Sequence, residues 1–133
     1  MPLLKEFDDK KHLLEYDDID TLHKEFLDIY NSVELENSQS LRTTVAKLLE
    51  HTKGHFASEE RLMQEFGYSR AREHIDEHNK VLAEMEYFLN IKNSPFGDKM
   101  LKSYYIERLP EWYDTHLLSM DSDLAHFIKE RSV

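Results

Sequence analysis

The sequence contains no cysteine, which excludes disulfide bonds and thiolate metal sites. It also has only three glycines and three prolines in 133 residues, so it offers few places for tight turns. A protein built of many short strands needs a turn every 8–12 residues or so, roughly as in a β-sandwich. The scarcity of turn residues therefore favours a small number of long helices.

Long hydrophobic runs and an excess of basic residues are also missing. No segment approaches the roughly 18 consecutive apolar residues of a membrane-spanning helix, and the N-terminal residues lack the apolar stretch of a signal peptide. The 27 acidic residues outnumber the 17 basic ones, which gives a formal net charge of −10 and disfavours binding to phosphate backbones. We expect a cytoplasmic monomer or weak homo-oligomer that binds neither nucleic acid nor membrane.

Apolar residues recur at steps of three and four through four segments of the chain, which is the pattern of amphipathic helices. Residues 93–97 form the clearest loop between them, and Gly67 is suited to the positive φ that often ends a helix. The sequence predicts one all-α domain over residues 1–133, an antiparallel up-down four-helix bundle with an N-terminal arm. The expected bounds are 1–17 for the arm and 18–36, 40–66, 70–90 and 98–130 for the helices.

Ionisable side chains occupy positions on the apolar faces of all four predicted helices. Five histidines and two carboxylates lie there: His23, His55, Glu59, His74, His78, His116 and Asp121. Burying so many ionisable groups without partners is costly, so we expect them to bind metal. Seven ligands are too many for one six-coordinate ion, which implies two ions, and imidazole suits iron, copper, zinc or nickel. Nearby, His51 is interpreted as a packing or ligand-orienting residue and Glu60 as a residue that is solvated or salt-bridged at the bundle surface.

The spacing of the paired ligands fits one helical face in the second and third helices but not in the fourth. Ligand pairs in the second and third helices are four residues apart and therefore point the same way. Asp121 follows His116 by five residues, which places it about 140° around an ideal helix. We predict a π-helical bulge or a bend between these two residues. Pro110, earlier in the same helix, is expected to kink it or to mark a restart.

Four short strings carry the seven residues in order along the chain. They are IDTLHKEF at 19–26, HFASEERLM at 55–63, HIDEH at 74–78 and WYDTHLLSMD at 112–121. The ligand pattern is H, then H-x-x-x-E, then H-x-x-x-H, then H-x-x-x-x-D. In this order, and over most of the chain, the strings resemble the hemerythrin family, particularly its single-domain bacterial members.

The resemblance implies a cofactor of two iron ions, which cycle between Fe2+ and Fe3+, with a bridging oxo or hydroxo group. Each ion would have its own histidines: His74, His78 and His116 for one, His23 and His55 for the other. Both ions would share the carboxylates of Glu59 and Asp121. In the family, O2 binds at the position left open on the iron that only two histidines hold.

An apolar pocket around the open position would keep water and protons away from O2. Six side chains next to the ligand positions suit such a lining: Phe26, Phe56, Met63, Trp112, Tyr113 and Leu117. Each is equally suited to plain core packing, so both roles stay open for them. Tyr113 stands where the family usually has an aliphatic residue. Its hydroxyl would hydrogen-bond oxygen species or occupy the open iron position if it points into the pocket.

The resemblance and the histidine-rich ligand set imply reversible O2 binding without turnover, as a carrier, store or scavenger. Ferritin-like di-iron oxidases use four carboxylates and two Glu-x-x-His pairs instead. Two alternatives on the same scaffold are an enzyme that reduces peroxide or nitric oxide, encouraged by Tyr113, and an O2 or redox sensor. HIDEH also matches the inverted zinc-protease signature H-x-x-E-H, but that enzyme needs an open cleft and a sheet, which the helical pattern does not predict.

Overall fold

A computed structural model describes the backbone of residues 17–131, and the side chains of that range except those of residues 17, 18, 117 and 118. The helices are α1 (Asp17–Asn31), α2 (Ser38–Phe66), α3 (Ala71–Leu89), α4 (Pro95–Ser103), α5 (Leu109–His116) and α6 (Ser122–Arg131). Two five-residue π-helical turns, Tyr104–Arg108 and Leu117–Asp121, join α4, α5 and α6 into one fourth helix. The described residues contain no strand, which agrees with the predicted all-α class.

The predicted N-terminal arm, residues 1–17, lies outside the described residues apart from Asp17, which begins α1. Between residues 17 and 131, every helix is too short or too polar to be a candidate membrane span.

The first helix ends at Asn31, earlier than the expected end at residue 36. Ser32 causes this end, because its backbone N–H and its hydroxyl both donate to the carbonyl oxygen of Ile29, at 3.1 and 2.6 Å. Such bonds tighten the last turn and compete with continued helix. Val33 continues the apolar stripe of α1 in sequence and is buried just beyond the helix.

The fourth helix begins at Pro95, within the segment that was expected to be a loop. Ser94 caps it, since the Ser94 hydroxyl oxygen accepts a hydrogen bond from the N–H of Gly97 at 3.0 Å. Pro95 takes the first helical position, where its missing N–H has no helix partner to lose. The end of α2 was predicted correctly, because Gly67 adopts the left-handed conformation with φ 66° and ψ 43°.

The two π turns explain how the fourth helix tolerates Pro110 and aims Asp121. Pro110 cannot donate to the carbonyl of Ile106, four residues earlier, and its ring would clash with that carbonyl. The turn Tyr104–Arg108 widens the helix just before Pro110, so the predicted interruption is confirmed. The turn Leu117–Asp121 is the predicted bulge between His116 and Asp121.

Two apolar clusters occupy the opposite ends of the core. The larger cluster contains fourteen buried residues: Phe26, Leu27, Tyr30, Val33, Leu41, Val45, Leu48, Leu49, Met85, Leu101, Tyr104, Tyr105, Leu109 and Tyr113. The smaller cluster contains six: Ile19, Met63, Tyr68, Leu124, Ala125 and Ile128. Following the chain, α1 and α3 run from the smaller cluster to the larger, whereas α2 and the fourth helix run the other way. This alternation is the up-down antiparallel bundle, and on every helix the seven ionisable residues lie between the two clusters.

A reciprocal pair of hydrogen bonds fastens α1 to the first π turn. The Tyr30 hydroxyl donates to the carbonyl oxygen of Tyr105 at 2.9 Å, and the Tyr105 hydroxyl donates to the carbonyl oxygen of Tyr30. The two rings stack with centroids 4.4 Å apart. The amide of Glu34, which would reach the Tyr30 carbonyl in a continued helix, donates to the Ser40 hydroxyl instead. The Tyr105 hydroxyl therefore replaces a helix bond that α1 has lost.

Replacing Tyr105 with phenylalanine is expected to lower the free energy of unfolding by about 1–2 kcal/mol, because the buried Tyr30 carbonyl loses its donor. Urea unfolding followed by circular dichroism measures the change. Tyr87→Phe is the matched control, since the Tyr87 side chain is 63% exposed and its loss of a hydroxyl should change stability by less than about 0.5 kcal/mol. Equal stability of the two variants would contradict the assigned bond.

Candidate metal centre

The structure brings all seven predicted ionisable residues together in the middle of the bundle. They come from every helix of the bundle: His23 from α1, His55 and Glu59 from α2, His74 and His78 from α3, and His116 and Asp121 from the end of α5 and the second π turn. Each of the seven is at most 5% exposed.

The seven residues form two overlapping groups, and the ligand atoms of each group lie within 4.8 Å of one another. The first group has three histidines and both carboxylates: His74, His78, His116, Glu59 and Asp121. The second has two histidines and the same carboxylates: His23, His55, Glu59 and Asp121. The histidines are thus divided as the resemblance implied, and the carboxylates belong to both groups.

Asp121 offers one carboxylate oxygen to each group. Its Oδ2 lies 2.8 Å from Nε2 of His23. Its Oδ1 lies 3.0 Å from Nε2 of His74 and 3.0 Å from Nε2 of His116. The second π turn makes this possible, because it brings Asp121 onto the face of His116 despite the five-residue spacing.

Glu59 repeats the same arrangement from the opposite side of the bundle. Its Oε2 lies 2.5 Å from Nε2 of His55, in the second group. Its Oε1 lies 3.1 Å from Nε2 of His78 and 3.3 Å from Nε2 of His74, in the first group. A carboxylate whose two oxygens face two sets of nitrogens has the form of a bridge between two ions.

The contacts between these atoms suit shared ions better than hydrogen bonds. Nε2 of His78 and Oε1 of Glu59 are 3.1 Å apart and buried, yet neither makes a hydrogen bond within the described part of the chain. Nε2 of His74 and Nε2 of His116 are 3.3 Å apart. Metal–ligand bonds of roughly 2.1 Å place neighbouring ligands of an octahedral ion roughly 3.0 Å apart. The donor set therefore fits metal ions of that coordination.

The acid–base balance of the cluster favours bound positive charge. Burial by itself lowers the pKa of His74, but the nearby carboxylates of Asp121 and Glu59 outweigh it and raise that pKa to about 9. Burial and Asp121 raise the pKa of Glu59, yet the nearby histidines, His55 first, leave it below the usual range. Burial likewise raises the pKa of Asp121, but the nearby histidines, His116 first, leave it well below the usual range. Two ionised carboxylates in a buried site attract cations, and a metal displaces the histidine protons.

Comparison with known proteins agrees with this geometry. Residues 14–128 match the family model described as the hemerythrin HHE cation binding domain. The chain belongs to the hemerythrin family. It is also similar to the bacteriohemerythrin of Ralstonia nicotianae, with 26% identity over 112 residues that cover 84% of this chain and 80% of that protein. The family and the buried cluster together indicate a metal site consistent with iron.

In this hemerythrin, His78 is held in place by two further side chains. Oε2 of Glu60 lies 3.1 Å from Nδ1 of His78, on the opposite side of the ring from the metal-facing Nε2. The ring of Phe56 stacks on the ring of His78 with centroids 3.6 Å apart and an interplanar angle of 2°. Glu60 is expected to be solvated or salt-bridged at the surface; its side chain is 36% exposed, and its partner is a buried histidine rather than a surface cation. A carboxylate on the outer nitrogen of a histidine ligand orients the ring and increases its basicity.

Replacing Glu60 with alanine is expected to weaken iron binding by about 10- to 100-fold while the helices stay folded, because His78 loses the acceptor of its Nδ1–H. Competition with a ferrous chelator measures the affinity. Glu65→Ala, an exposed glutamate further along α2, is the control that should leave iron affinity unchanged. Equal chelator resistance of the Glu60→Ala and Glu65→Ala proteins would show that Glu60 does not support His78.

A cavity of about 10 Å³ adjoins the second group of ligand residues, a volume that suits one water molecule or one diatomic molecule. Its lining comprises His23, Phe26, Thr52, His55, Trp112, Tyr113, His116 and Asp121. Three of the six predicted lining residues, Phe26, Trp112 and Tyr113, are therefore present. Phe56 instead packs on His78, and Met63 belongs to the smaller apolar cluster. The side chain of Leu117 lies outside the described residues.

Two side chains bind the backbone of α1 on either side of the first ligand. The Tyr113 hydroxyl donates to the carbonyl oxygen of His23 at 3.3 Å, and Nε2 of His51 lies 3.2 Å from the carbonyl oxygen of Leu22. Burial raises the pKa of Tyr113 above its ordinary value, so the hydroxyl keeps its proton. Tyr113 thus presents its ring to the cavity and its hydroxyl to the backbone, which does not match the suggestion that the hydroxyl occupies an iron position.

Proposed function

We propose that this hemerythrin binds two iron ions, with a bridging oxo or hydroxo group, and holds O2 reversibly without turnover. The observation that carries the proposal is the unequal division of histidines around two shared carboxylates. One ion receives five protein ligands and the other only four. Both histidines of the four-ligand group line the small cavity, so an ion held there would have an open coordination position next to space for a small ligand.

When bound, the iron pair supplies the electrons with which O2 is held reversibly. The chain supplies an environment that keeps protons away from the bound ligand. The apolar clusters at both ends of the core separate the site from water, and Phe26 and Tyr113, whose rings stack 5.2 Å apart, form one wall of the cavity. Exclusion of water removes the proton source that would release reduced oxygen products.

Anaerobic protein loaded with ferrous iron tests this function. We expect two iron ions per chain by metal analysis. We also expect a visible absorption band that forms on mixing with O2 in a stopped-flow instrument and bleaches when O2 is removed. Direct and irreversible oxidation of the iron, with no band that responds to O2 removal, would count against O2 carriage.

Two alternative functions on the same scaffold, an enzyme and a sensor, can each be distinguished from O2 carriage by a measurement. An enzyme that reduces peroxide or nitric oxide was suggested by Tyr113, but a hydroxyl bound to the His23 carbonyl is not a proton donor in the cavity. Steady turnover of H2O2 or NO would nevertheless favour it over the carrier. An O2 or redox sensor would change its hydrogen exchange between the reduced and the oxidised protein.

The expected cytoplasmic location is tested by cell fractionation, and the expected monomer or weak homo-oligomer by sedimentation.

A further inference from the structure

Thr52 places a hydroxyl without a partner beside the cavity. Its side chain is 1% exposed, and its Oγ1 has no hydrogen-bond partner among the described residues. A threonine inside a helix usually satisfies its hydroxyl by donating to a backbone carbonyl three or four residues earlier. Thr52 does not do so in α2, although leaving a buried hydroxyl unpaired is costly.

The position of Thr52 links this hydroxyl to the site rather than to the general core. Thr52 precedes His55 by three residues, so the two side chains share a face of α2. Both line the same small cavity, together with His23 and Tyr113. The Tyr113 hydroxyl is bound to the His23 carbonyl, and Phe26 has no polar atom. Thr52 is therefore the residue on α2 that can offer the cavity a hydrogen-bond donor.

Trp112 adds a second donor of the same kind. Its indole Nε1 is buried and has no hydrogen-bond partner among the described residues, and Trp112 lines both this cavity and a larger cleft beside α3. The Trp112 ring stacks on the ligand residue His116 with centroids 5.1 Å apart. Two residues that line a space of about 10 Å³ therefore carry buried donors without a partner, which favours a ligand with acceptor atoms.

We propose that the Thr52 hydroxyl, assisted by the Trp112 N–H, donates a hydrogen bond to the small ligand that the cavity admits. The ligand class is a diatomic molecule or small anion whose outer atom accepts a hydrogen bond, with O2 and azide as examples. This proposal rests on the function proposed above, because it assumes that the ligand enters beside the ion held by His23 and His55. Thr52 then sets how tightly the ligand is retained.

The test compares Thr52→Val, which keeps the branched shape and removes the hydroxyl, with Thr52→Ser, which keeps the hydroxyl. Both variants should load two iron ions per chain. Thr52→Val should raise the Kd for azide of the oxidised protein and the rate of O2 release of the reduced protein by about 5- to 10-fold, the effect of one lost hydrogen bond. Thr52→Ser should stay within about twofold of the wild type. Metal-free Thr52→Val should also melt at a higher temperature than the metal-free wild type, because valine removes the unpaired hydroxyl.

Three results would overturn the proposal, and they are distinguishable. Unchanged azide affinity and O2 release in fully loaded Thr52→Val would show that the hydroxyl does not contact the ligand. A lower melting temperature of metal-free Thr52→Val would show that the hydroxyl has a structural partner. A wild-type protein that takes up no iron would overturn the proposed function and this proposal with it, before any variant is compared.

Discussion

Replacing His55 with alanine is expected to reduce the iron content from the two ions per chain proposed for the wild-type protein to one. His55 belongs to the second ligand group alone, whose only other histidine is His23. Without it, the second ion keeps three protein ligands, while the first group loses none of its five. The Nε2 of His55 also anchors Oε2 of Glu59 at 2.5 Å, so the bridging carboxylate loses its orientation toward that ion. The remaining ion should not bind O2 reversibly.

Metal analysis, visible spectroscopy and circular dichroism test the His55 prediction together. Helical content should persist, because alanine is the strongest helix former and the apolar clusters are untouched. His126→Ala is the matched control, since the His126 side chain is 74% exposed and belongs to neither ligand group. It should retain two iron ions and the band that responds to O2. Two iron ions in the His55→Ala protein would contradict the assignment of this residue as a ligand.

Replacing Glu59 with glutamine is expected to remove both iron ions, since Glu59 is shared by the two groups. The amide keeps the length of the side chain but loses the negative charge and one of the two acceptor oxygens. The metal-free protein should lose about 3 kcal/mol of stability as well, because the charged partner of His55 and His74 is gone from a fully buried site. Iron analysis and urea unfolding of the metal-free protein measure the two effects.

Glu60→Gln is the natural control for Glu59→Gln, because the same chemical change is made one residue later. Glu60 lies outside both ligand groups, and its carboxylate lies 3.1 Å from the outer nitrogen of His78. The control should still bind two iron ions at saturating iron and unfold close to the wild-type midpoint. If Glu59→Gln retained both ions while Glu60→Gln lost them, the bridging role would have to be reassigned from Glu59 to Glu60.

The burial and convergence of the seven ionisable residues could be predicted because two independent constraints act on them. The helical period fixes which residues face inward, and charge burial fixes which of those need a partner. Both constraints are properties of the sequence, so His23, His74 and the others on the apolar stripes were visible before the structure. The bulge before Asp121 was predictable for the same reason, since a carboxylate 140° from its partners can reach them only if the helix widens.

The contacts around the ligands could not be predicted, because they depend on rotamers and side-chain reach. Glu60 starts on a partly exposed face, and only its torsion angles bring the carboxylate to His78. Thr52 lies on the inward face of α2, and the sequence does not show whether its hydroxyl bonds to the preceding turn. The direction of the Tyr113 hydroxyl was open for the same reason. The sequence indicates that these residues lie near the ligands, because each is adjacent to a ligand residue or three or four residues from one. It does not indicate in which direction their side chains point.

The wide turn at Leu117–Asp121 allows the fourth helix to gain or lose one residue without a change in the direction of its later side chains. Five residues in a π turn advance the chain around the axis about as far as four residues do in an α-helix. The added residue therefore leaves Leu124 and Ile128 in phase with the smaller apolar cluster, where both are buried. A chain with one residue fewer between His116 and its carboxylate would keep the same phase and repeat the His-x-x-x-carboxylate spacing of α2. The bundle thus accommodates a single-residue insertion at its centre without any rotation of the helix that follows.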